Sequence, residues 1–479
     1  MIELKNVSYT YPFQEAPAVK NISFTVKKGE ATLITGASGC GKSTLIRLVN
    51  GLCPHFFKGT LKGEILHSGT SSKGRSLQQI SAEVGTVFQD PELQFFALHV
   101  DDEIAFAHEW QGKSREETWA VVRETAKKLR INPILNASIH DLSEGQKQKV
   151  ALGAILSLAP SIVVLDEPSA NLDPESTKEL ARLIETLKEK GITILVVDHR
   201  LYWLKDVADQ VLVMSKGEVK DQGDFSILQD QALCQRCGLR KAKVTDVRNS
   251  LPNTPKTGHL EVKNLHFGYG GKEKIYNGDS FALPKGVTGI IGDNGTGKTT
   301  LARILTGLSK RQGGEIVIGG ETVHPKQVLK RSSLILQNTD HQLHMTSVLR
   351  EVAMASGIHR LKKREKERLE ALLEKFGLRH LAHRHPQSLS GGEKQRLVIA
   401  CGLARNPDIF ILDEPTSGLD GHNMKRIATM IREAAQQGMS VMVITHDLEL
   451  LELVCDVALR LPIQRQAPAK QMVDARCAM

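Results

Sequence analysis

The chain has 479 residues, of which 41% are hydrophobic and 24% charged, and its formal net charge is +9. This length supports two or three domains with full hydrophobic cores. The composition excludes a mainly disordered chain, a collagen-like chain and a small disulfide scaffold. The modest positive charge permits contact with nucleic acid or anionic lipid but implies neither. No apolar run in the sequence approaches the roughly 18 residues that a transmembrane helix needs.

The first informative element is a short apolar strand that leads into a glycine-rich loop. The strand is predicted at Ala31–Thr35, and the loop after it matches the pattern G-x-x-x-x-G-K-[ST]. Glycines let backbone N–H groups wrap phosphates, the lysine reaches the β and γ oxygens, and the final hydroxyl ligates Mg²⁺. The predicted nucleotide-binding residues are Gly36, Ala37, Ser38, Gly39, Cys40, Gly41, Lys42, Ser43 and Thr44.

Two buried strands with polar ends follow. Ser161–Leu165 runs into Asp166 and Glu167, and Thr193–Val197 ends just before His199. In open α/β sheets, ligands bind at the carboxyl ends of parallel strands. An aspartate in this position helps to hold Mg²⁺, and the glutamate after it can orient the water that attacks the γ-phosphate.

The same series of elements recurs later, which makes the chain an internal repeat. Strand Val287–Ile291 leads into a second phosphate loop, strand Asp408–Leu412 runs into Asp413 and Glu414, and strand Ser440–Ile444 ends just before His446. The second predicted set of nucleotide-binding residues is Gly292, Asp293, Asn294, Gly295, Thr296, Gly297, Lys298, Thr299 and Thr300. A repeat this long indicates duplicated domains rather than a solenoid.

The boundary between the copies is predicted from composition. Residues 245–258 are polar and contain prolines, which is typical of a linker. We therefore expect one domain at 1–244 and another at 259–479. Two charged segments with apolar residues at helical spacing, Ser114–Leu129 and Leu361–Phe376, are predicted to be surface helices. Strands that alternate with helices predict an α/β fold.

At this point the motifs resemble those of ATP-binding-cassette (ABC) ATPases, twice over nearly the whole length. LSEGQ at 142–146 and LSGGE at 389–393 resemble the signature motif of that class, and residues 169–173 and 417–420 resemble its D-loop. The resemblance implies two tandem P-loop NTPase domains. Each would have a RecA-like α/β core, an antiparallel β part and a helical subdomain.

The resemblance also assigns roles to individual residues. It makes ATP and Mg²⁺ the expected ligands. The expected catalytic residues are Glu167, Glu414, the switch histidines His199 and His446, and the Q-loop glutamines Gln89 and Gln337. The expected Mg²⁺ ligands are Ser43, Thr299, Gln89, Gln337, Asp166 and Asp413. Adenine stacking is expected from Tyr11 and Tyr269, with Tyr9 and Phe267 as rivals.

In this family the two halves close head to tail on two ATPs. Each site therefore takes signature residues from the opposite half, which here are Ser143, Gly145, Ser390, Gly391 and Gly392. Glu144 departs from the usual glycine of the motif. A carboxylate facing triphosphate is unfavourable, whereas one at the start of a helix is stabilised. Because both halves retain the catalytic glutamate and histidine, we expect both sites to hydrolyse ATP.

A narrower resemblance concerns the Q-loop segments. Residues 88–96 (FQDPELQFF), 336–343 (LQNTDHQL) and 198–201 (DHRL) resemble energy-coupling-factor (ECF) and cobalt-type importer ATPases. This implies a peripheral motor subunit at the cytoplasmic face of the cell membrane, for import of a micronutrient such as a vitamin or metal ion. Its partners would be an integral-membrane scaffold (the T-type component) and a small substrate-binding membrane component, with no nucleic acid.

Two other functions are compatible with tandem cassettes. One is a soluble tandem ABC ATPase that acts on ribosomes or nucleic-acid complexes, although such proteins usually carry a long charged insert and this linker is short. The other is a tandem sugar-importer ATPase, which the two Q-loop segments disfavour.

Overall fold

In the computed structural model, parallel strands that lead into the phosphate loops form the centre of each half. The structure describes residues 1–270 and 274–463. The last part of the expected second domain, residues 464–479, lies outside the described residues. Below, "first half" means residues 1–244 and "second half" means residues 259–463. Within the described ranges, no helix is both long and apolar enough to cross a bilayer.

The first half contains ten strands and eight α-helices among its described residues. The strands are β1 (Ile2–Thr10), β2 (Val19–Val26), β3 (Ala31–Gly36), β4 (Thr60–His67), β5 (Thr70–Ser71), β6 (Val84–Val87), β7 (Ile162–Asp166), β8 (Thr193–Val197), β9 (Gln210–Ser215) and β10 (Glu218–Gly223). The helices are α1 (Lys42–Val49), α2 (Leu52–His55), α3 (Leu77–Ser81), α4 (Val100–Trp110), α5 (Arg115–Leu129), α6 (Glu144–Ser157), α7 (Pro174–Glu189) and α8 (Gln231–Cys237).

Two sheets and a helical layer organise these elements. The core sheet has the order β10-β9-β3-β8-β7-β6, in which all neighbours are parallel except the β10–β9 pair. Strands β3 and β8 are buried throughout, as expected for parallel strands that are covered on both faces. A second, antiparallel sheet has the order β2-β1-β4-β5. Helices α4, α5 and α6 share a separate apolar cluster, which forms the helical subdomain.

The second half repeats this arrangement. Its strands are β11 (Leu260–Phe267), β12 (Tyr276–Leu283), β13 (Gly286–Ile291), β14 (Gly313–Ile318), β15 (Glu321–Thr322), β16 (Ser332–Ile335), β17 (Ile409–Asp413), β18 (Ser440–Ile444) and β19 (Val457–Arg460). Its helices are α9 (Lys298–Leu305), α10 (Pro325–Arg331), α11 (Val348–Ala355), α12 (Lys363–Lys375), α13 (Gly391–Leu403), α14 (Gly421–Gln436) and α15 (Leu448–Val454). The core sheet has the order β16-β17-β18-β13-β19 and is parallel, and the antiparallel sheet has the order β12-β11-β14-β15.

The structure confirms the predicted fold class and the predicted strands. Each strand expected from the sequence is present with its ends shifted by no more than one residue, as in β7 and β17. The two predicted charged helices are α5 and α12. Each half therefore has the α/β core, the antiparallel sheet and the helical subdomain.

The predicted linker runs along the second half. Val247 and Leu251 in the linker, and Val244 just before it, pack against the apolar core of that half. Asn253 forms an isolated parallel bridge with Ala458 in β19. Apolar packing and one backbone bridge therefore hold the linker against the second half.

Candidate active site

Each phosphate loop is shaped by the strand before it and the helix after it. The first loop joins β3 to α1, and the second joins β13 to α9. Gly41 (φ 107°) and Gly297 (φ 95°) precede these helices in the left-handed region that favours glycine. A Cβ on Gly41 would also lie 2.6 Å from the Ala18 carbonyl oxygen. Any other residue here would strain the loop and displace its backbone.

The loop lysines are buried and fold back onto their loops. Lys42 Nζ donates to the carbonyl oxygens of Gly36 (2.9 Å) and Ala37 (3.1 Å). Lys298 Nζ donates to those of Gly292 (2.6 Å) and Asp293 (2.9 Å). Both ammonium groups are thus held against the loop backbone that is expected to receive the phosphates.

Two of the three predicted metal ligands of the second half, Thr299 and Asp413, are in direct contact. Thr299 Oγ1 donates a 2.9 Å hydrogen bond to Asp413 Oδ2. In the first half, Asp166 ends β7, and burial raises its pKa to about 6 although the charges of Lys42 and Arg47 oppose the shift. Hydroxyl and carboxylate oxygens together with substrate phosphates are a donor set that suits Mg²⁺, so the residues present fit that ion.

Both catalytic-glutamate candidates have an unusual backbone conformation. Glu167 (φ 47°) and Glu414 (φ 46°) lie in the left-handed region, which non-glycine residues rarely adopt. Their backbone N–H groups donate to Val197 O (2.7 Å) and Ile444 O (2.8 Å) of the neighbouring strand. A strained conformation at equivalent positions in both halves is typical of functional sites.

In the first half, Glu167 contacts both predicted catalytic partners. Gln89 Nε2 donates to Glu167 Oε2 at 3.0 Å, and His199 Nε2 lies 3.4 Å from Oε1. Burial and the nearby carboxylate of Asp198 raise the pKa of Glu167 to about 8, against the opposing charge of Lys42. The carboxylate is therefore a stronger base than an exposed glutamate.

In the second half, Glu414 is held by a different set of donors. Thr445 Oγ1 donates to Oε2 at 2.9 Å, and the backbone N–H of His446 donates to Oε1 at 2.8 Å. His446 Nε2 lies 3.0 Å from Asn294 Oδ1 in the phosphate loop. Burial raises the pKa of Glu414 to about 7, and the charge of Arg200 limits the shift.

The D-loops join each half to the active-site loops of the other. The backbone N–H of Ser38 donates to Asp420 Oδ2 at 2.7 Å, and Asn294 Nδ2 lies 3.4 Å from Asp173 Oδ2. Gln337, the second Q-loop glutamine, donates to Asn171 in the first D-loop at 3.1 Å. These reciprocal contacts place the halves head to tail.

The signature residues begin helices in both halves. Ser143 is the N-cap of α6, and Ser390 is the N-cap of α13. Gly145, Gly391 and Gly392 lie in the first turns of these helices. The hydrogen bonds of the two serines remain within their own helix starts, to Gln146 and Glu393. The structure thus places the signatures at helix N-termini, where anions are favoured, and among the described residues the hydrogen bonds of the two serines stay within their own half.

The unusual Glu144 is neutralised locally. Its carboxylate lies 3.0 Å from Lys147 Nζ, and the same ammonium also bonds to Glu92 in the Q-loop segment. The second half has a corresponding pair, Lys394 with Asp340, at 2.7 Å. A lysine on each signature helix therefore contacts the Q-loop of the same half.

The two adenine-stacking candidates occupy matching positions. Tyr11 Oη lies 3.2 Å from Thr44 Oγ1, and Tyr269 Oη lies 3.3 Å from Thr300 Oγ1. The rivals Tyr9 and Phe267 are buried in the apolar core. Tyr11 and Tyr269 are more exposed than these rivals, and their role in adenine stacking stays a prediction.

The sequence did not indicate a buried cluster between the halves. Arg240, near the end of the first half, contacts Asp447, the residue after the second switch histidine. The only sequence signal at this position is that His199 and His446 are followed by residues of opposite charge, Arg200 and Asp447.

Comparison with known proteins identifies the family. The sequence model of the ABC transporter family matches residues 19–170 and 276–417. The chain belongs to this family and is an ATPase that carries two ATP-binding cassettes.

Relatives match the chain along its length. A Treponema denticola protein, named as an ABC transporter ATP-binding protein, is 38% identical over 95% of this chain and 94% of its own. A Bacillus subtilis protein named for HMP/thiamine import, YkoD, is 34% identical over 96% of this chain and 89% of its own. The archaeal ribosome recycling factor aABCE1 superposes with a TM-score of 0.64 over 95% of this chain and 87% of its own. At 22% identity, that likeness shows a shared fold.

Proposed function

We propose that the chain is the ATP-hydrolysing motor subunit of an ECF-type membrane importer that takes up a micronutrient such as a vitamin or metal ion. Its domains are 1–244 and 259–479, joined by a linker at 245–258. Two ATP sites form head to tail between them, with Mg²⁺ held by the threonine, serine, aspartate and glutamine side chains predicted above. When bound, Mg²⁺ would neutralise charge on the phosphates and help to orient them.

One surface feature carries the membrane-partner part of this proposal. Leu93, Phe96 and Trp110 are 86%, 76% and 81% exposed beside the first Q-loop. Phe96 stacks on Phe106, with ring centroids 5.0 Å apart, and Phe106 contacts Trp110. Exposed apolar patches of this kind mark protein interaction sites. We call these four side chains the aromatic shelf.

Leu93 and Phe96 of the aromatic shelf lie four and seven residues after Gln89, which contacts the proposed base Glu167. Gln89 lies on the same segment and bonds to Glu167. Glu103, on α4, accepts hydrogen bonds from the backbone N–H groups of Phe96 and Ala97 at 2.8 and 2.9 Å. A partner that moves the shelf would therefore move the glutamine that contacts the proposed base.

The second half offers a groove at the corresponding place. A cavity of about 840 Å³ is lined by Gln342, His344 and Met354, among others. Glu351 accepts from the backbone N–H groups of His344 and Met345, as Glu103 does in the first half. Two equivalent docking positions suit the integral scaffold of an importer at the cytoplasmic face, and the scaffold would carry the substrate-binding component. The name of the YkoD relative, for HMP/thiamine import, supports a vitamin-type cargo.

The test is co-purification from membranes. The tagged chain is isolated from detergent-solubilised membranes of its host, and the integral proteins bound to it are identified by mass spectrometry. The double variant Phe96→Asp/Trp110→Asp is expected to lose these proteins while the ATP turnover of the purified chain is unchanged. The control is Phe56→Asp, an exposed phenylalanine outside the shelf. ATP-dependent sedimentation with ribosomes, without integral partners, would instead support the soluble alternative.

A further inference from the structure

Each of the two loops that carry a switch histidine is bound by an arginine. In the first half this arginine belongs to the same half, whereas in the second half it comes from the other half. In the first half, Arg200 follows His199 and donates to two carbonyl oxygens of its own D-loop, at 3.0 and 3.1 Å. Its backbone N–H bonds to Asp198 at 2.8 Å. In the second half, the position of Arg200 is taken by Asp447. The first loop thus has its cation in its own half.

Asp447 receives its cation from the other half. Arg240 Nη2 lies 2.5 and 2.6 Å from the two carboxylate oxygens of Asp447, and its Nε donates to Glu449 at 2.9 Å. The three side chains are no more than 3% exposed. Removing one member of such a buried ion cluster leaves the others without compensation, which is strongly unfavourable.

The segment that carries Arg240 is fixed to the second half by its backbone. The Gly238 carbonyl oxygen accepts a 2.9 Å hydrogen bond from Gly421 N–H at the start of α14. A Cβ on Gly421 would lie 2.2 Å from the Leu239 carbonyl oxygen, so this close approach requires glycine. The backbone just before Arg240 is therefore bound directly to the second half, and this contact fixes the position of the arginine.

A short chain of hydrogen bonds leads from Asp447 to the proposed base. The backbone N–H of Asp447 donates to Thr445 Oγ1 at 3.0 Å, and that hydroxyl donates to Glu414 at 2.9 Å. Asp447 also accepts from Thr416 Oγ1 at 2.6 Å. Between Thr445 and Asp447 stands His446, whose backbone N–H donates to the same glutamate.

We propose that Arg240 is a positioning residue for the second ATP site: from the first half, it fixes the loop that carries His446 and the donors to Glu414. The second site is then completed by the first half at the switch loop, in addition to the D-loop contacts that both sites share. Burial acts to raise the pKa of Asp447, but the charges of Arg240 and Arg200 outweigh it and lower the pKa to about 2. The ion pair is therefore permanent at physiological pH. The role of Arg240 depends on the site assignment proposed above and not on a membrane partner.

The experiment measures ATP hydrolysis at each of the two sites separately, in the purified full chain. ATP hydrolysis is trapped with vanadate in the presence of 8-azido-ATP, and the photolabelled peptides are assigned to either half by mass spectrometry. Arg240→Lys keeps the charge but loses the planar fork that reaches two carboxylates, and Arg240→Gln removes the charge. The matched control is Lys241→Met, which removes the neighbouring, exposed pair with Glu452.

We expect trapping on the second half to fall about tenfold in Arg240→Gln and by a smaller factor in Arg240→Lys, as expected for loss of a buried charge partner. Trapping on the first half should fall by a smaller factor, because Arg240 Nη1 also donates a 3.4 Å hydrogen bond to the carbonyl oxygen of Leu419 in the D-loop that contacts the first site, and the KM for ATP should not change. Lys241→Met should match the unmodified chain. An equal fall at both sites in the folded Arg240→Lys variant would make Arg240 a general structural clamp and overturn the proposal, as would no change at either site.

Discussion

The backbone N–H of Ser38 donates a 2.7 Å hydrogen bond to the carboxylate of Asp420, so the phosphate loop of the first half rests on the D-loop of the second. Asp420 also caps α14 through the N–H of Asn423. The Asp420 side chain thus caps the start of a helix in its own half and bonds to the phosphate loop of the other half. This double contact ties formation of the first site to the pairing of the halves.

Asp420→Asn is expected to lower ATP turnover. Asparagine is as good an N-cap as aspartate, so α14 should keep its start, whereas the charge-assisted bond to Ser38 is lost. Hydrogen bonds to charged groups contribute about 1.5–3 kcal/mol, which corresponds to roughly tenfold or more in turnover. Steady-state ATPase assays check this.

The matched variant for that prediction is Asp173→Asn in the first half. Asp173 also caps a helix, α7, but its contact with the other half is the longer 3.4 Å approach of Asn294. We expect a smaller loss than in Asp420→Asn. Equal losses, or a larger one in Asp173→Asn, would contradict the unequal contacts.

Gly418→Ala is expected to damage the first site selectively. A Cβ on Gly418 would lie 2.7 Å from Gln89 Nε2 and 3.2 Å from Glu167 Oε2. It would push the Q-loop glutamine away from the carboxylate, so vanadate trapping on the first half should fall. Gly377→Ala is the control because its φ of 64° matches the 65° of Gly418 and its surroundings are open.

Both glycine variants introduce alanine in the left-handed region, which costs about 1 kcal/mol of folding free energy or somewhat more. Denaturant unfolding should therefore show similar destabilisation in the two, whereas only Gly418→Ala should lose trapping. If Gly377→Ala lost as much trapping as Gly418→Ala, the loss would come from general destabilisation rather than from contact with Gln89.

Glu144→Gly tests whether the departure in the first signature motif matters. The carboxylate is bonded to Lys147, which keeps its second partner Glu92 when Glu144 is removed. Because Glu144 is partly exposed, we expect a stability change within about 1 kcal/mol and turnover within about twofold of the unmodified chain. A large rise in turnover would show that the carboxylate opposes ATP at this site.

Much of the fold follows from local sequence pattern. Buried parallel strands are continuous apolar runs, so β3, β7 and β8 and their copies could be placed from the sequence, together with the polar residues at their ends. Arg240 and Asp447 could not be paired in this way because 207 residues separate them and neither belongs to a motif. Gly418 and Asn171 occupy the same position in the two D-loops. Only the packing of the halves shows that Gly418 lies against Gln89 and that Asn171 bonds to Gln337.

Separate substitution of the two proposed bases tests whether both sites hydrolyse ATP. Glu167 and Glu414 have the same left-handed backbone and both are partly buried beside a switch histidine, although their donors differ. A positioned general base contributes about 10²–10⁴-fold, so Glu167→Gln and Glu414→Gln should each reduce turnover at their own site by at least that lower factor. Single-turnover hydrolysis with site-resolved trapping measures each site. If one variant kept full activity while the other was inactive, one site would be silent and the expectation of two hydrolysing sites would be wrong.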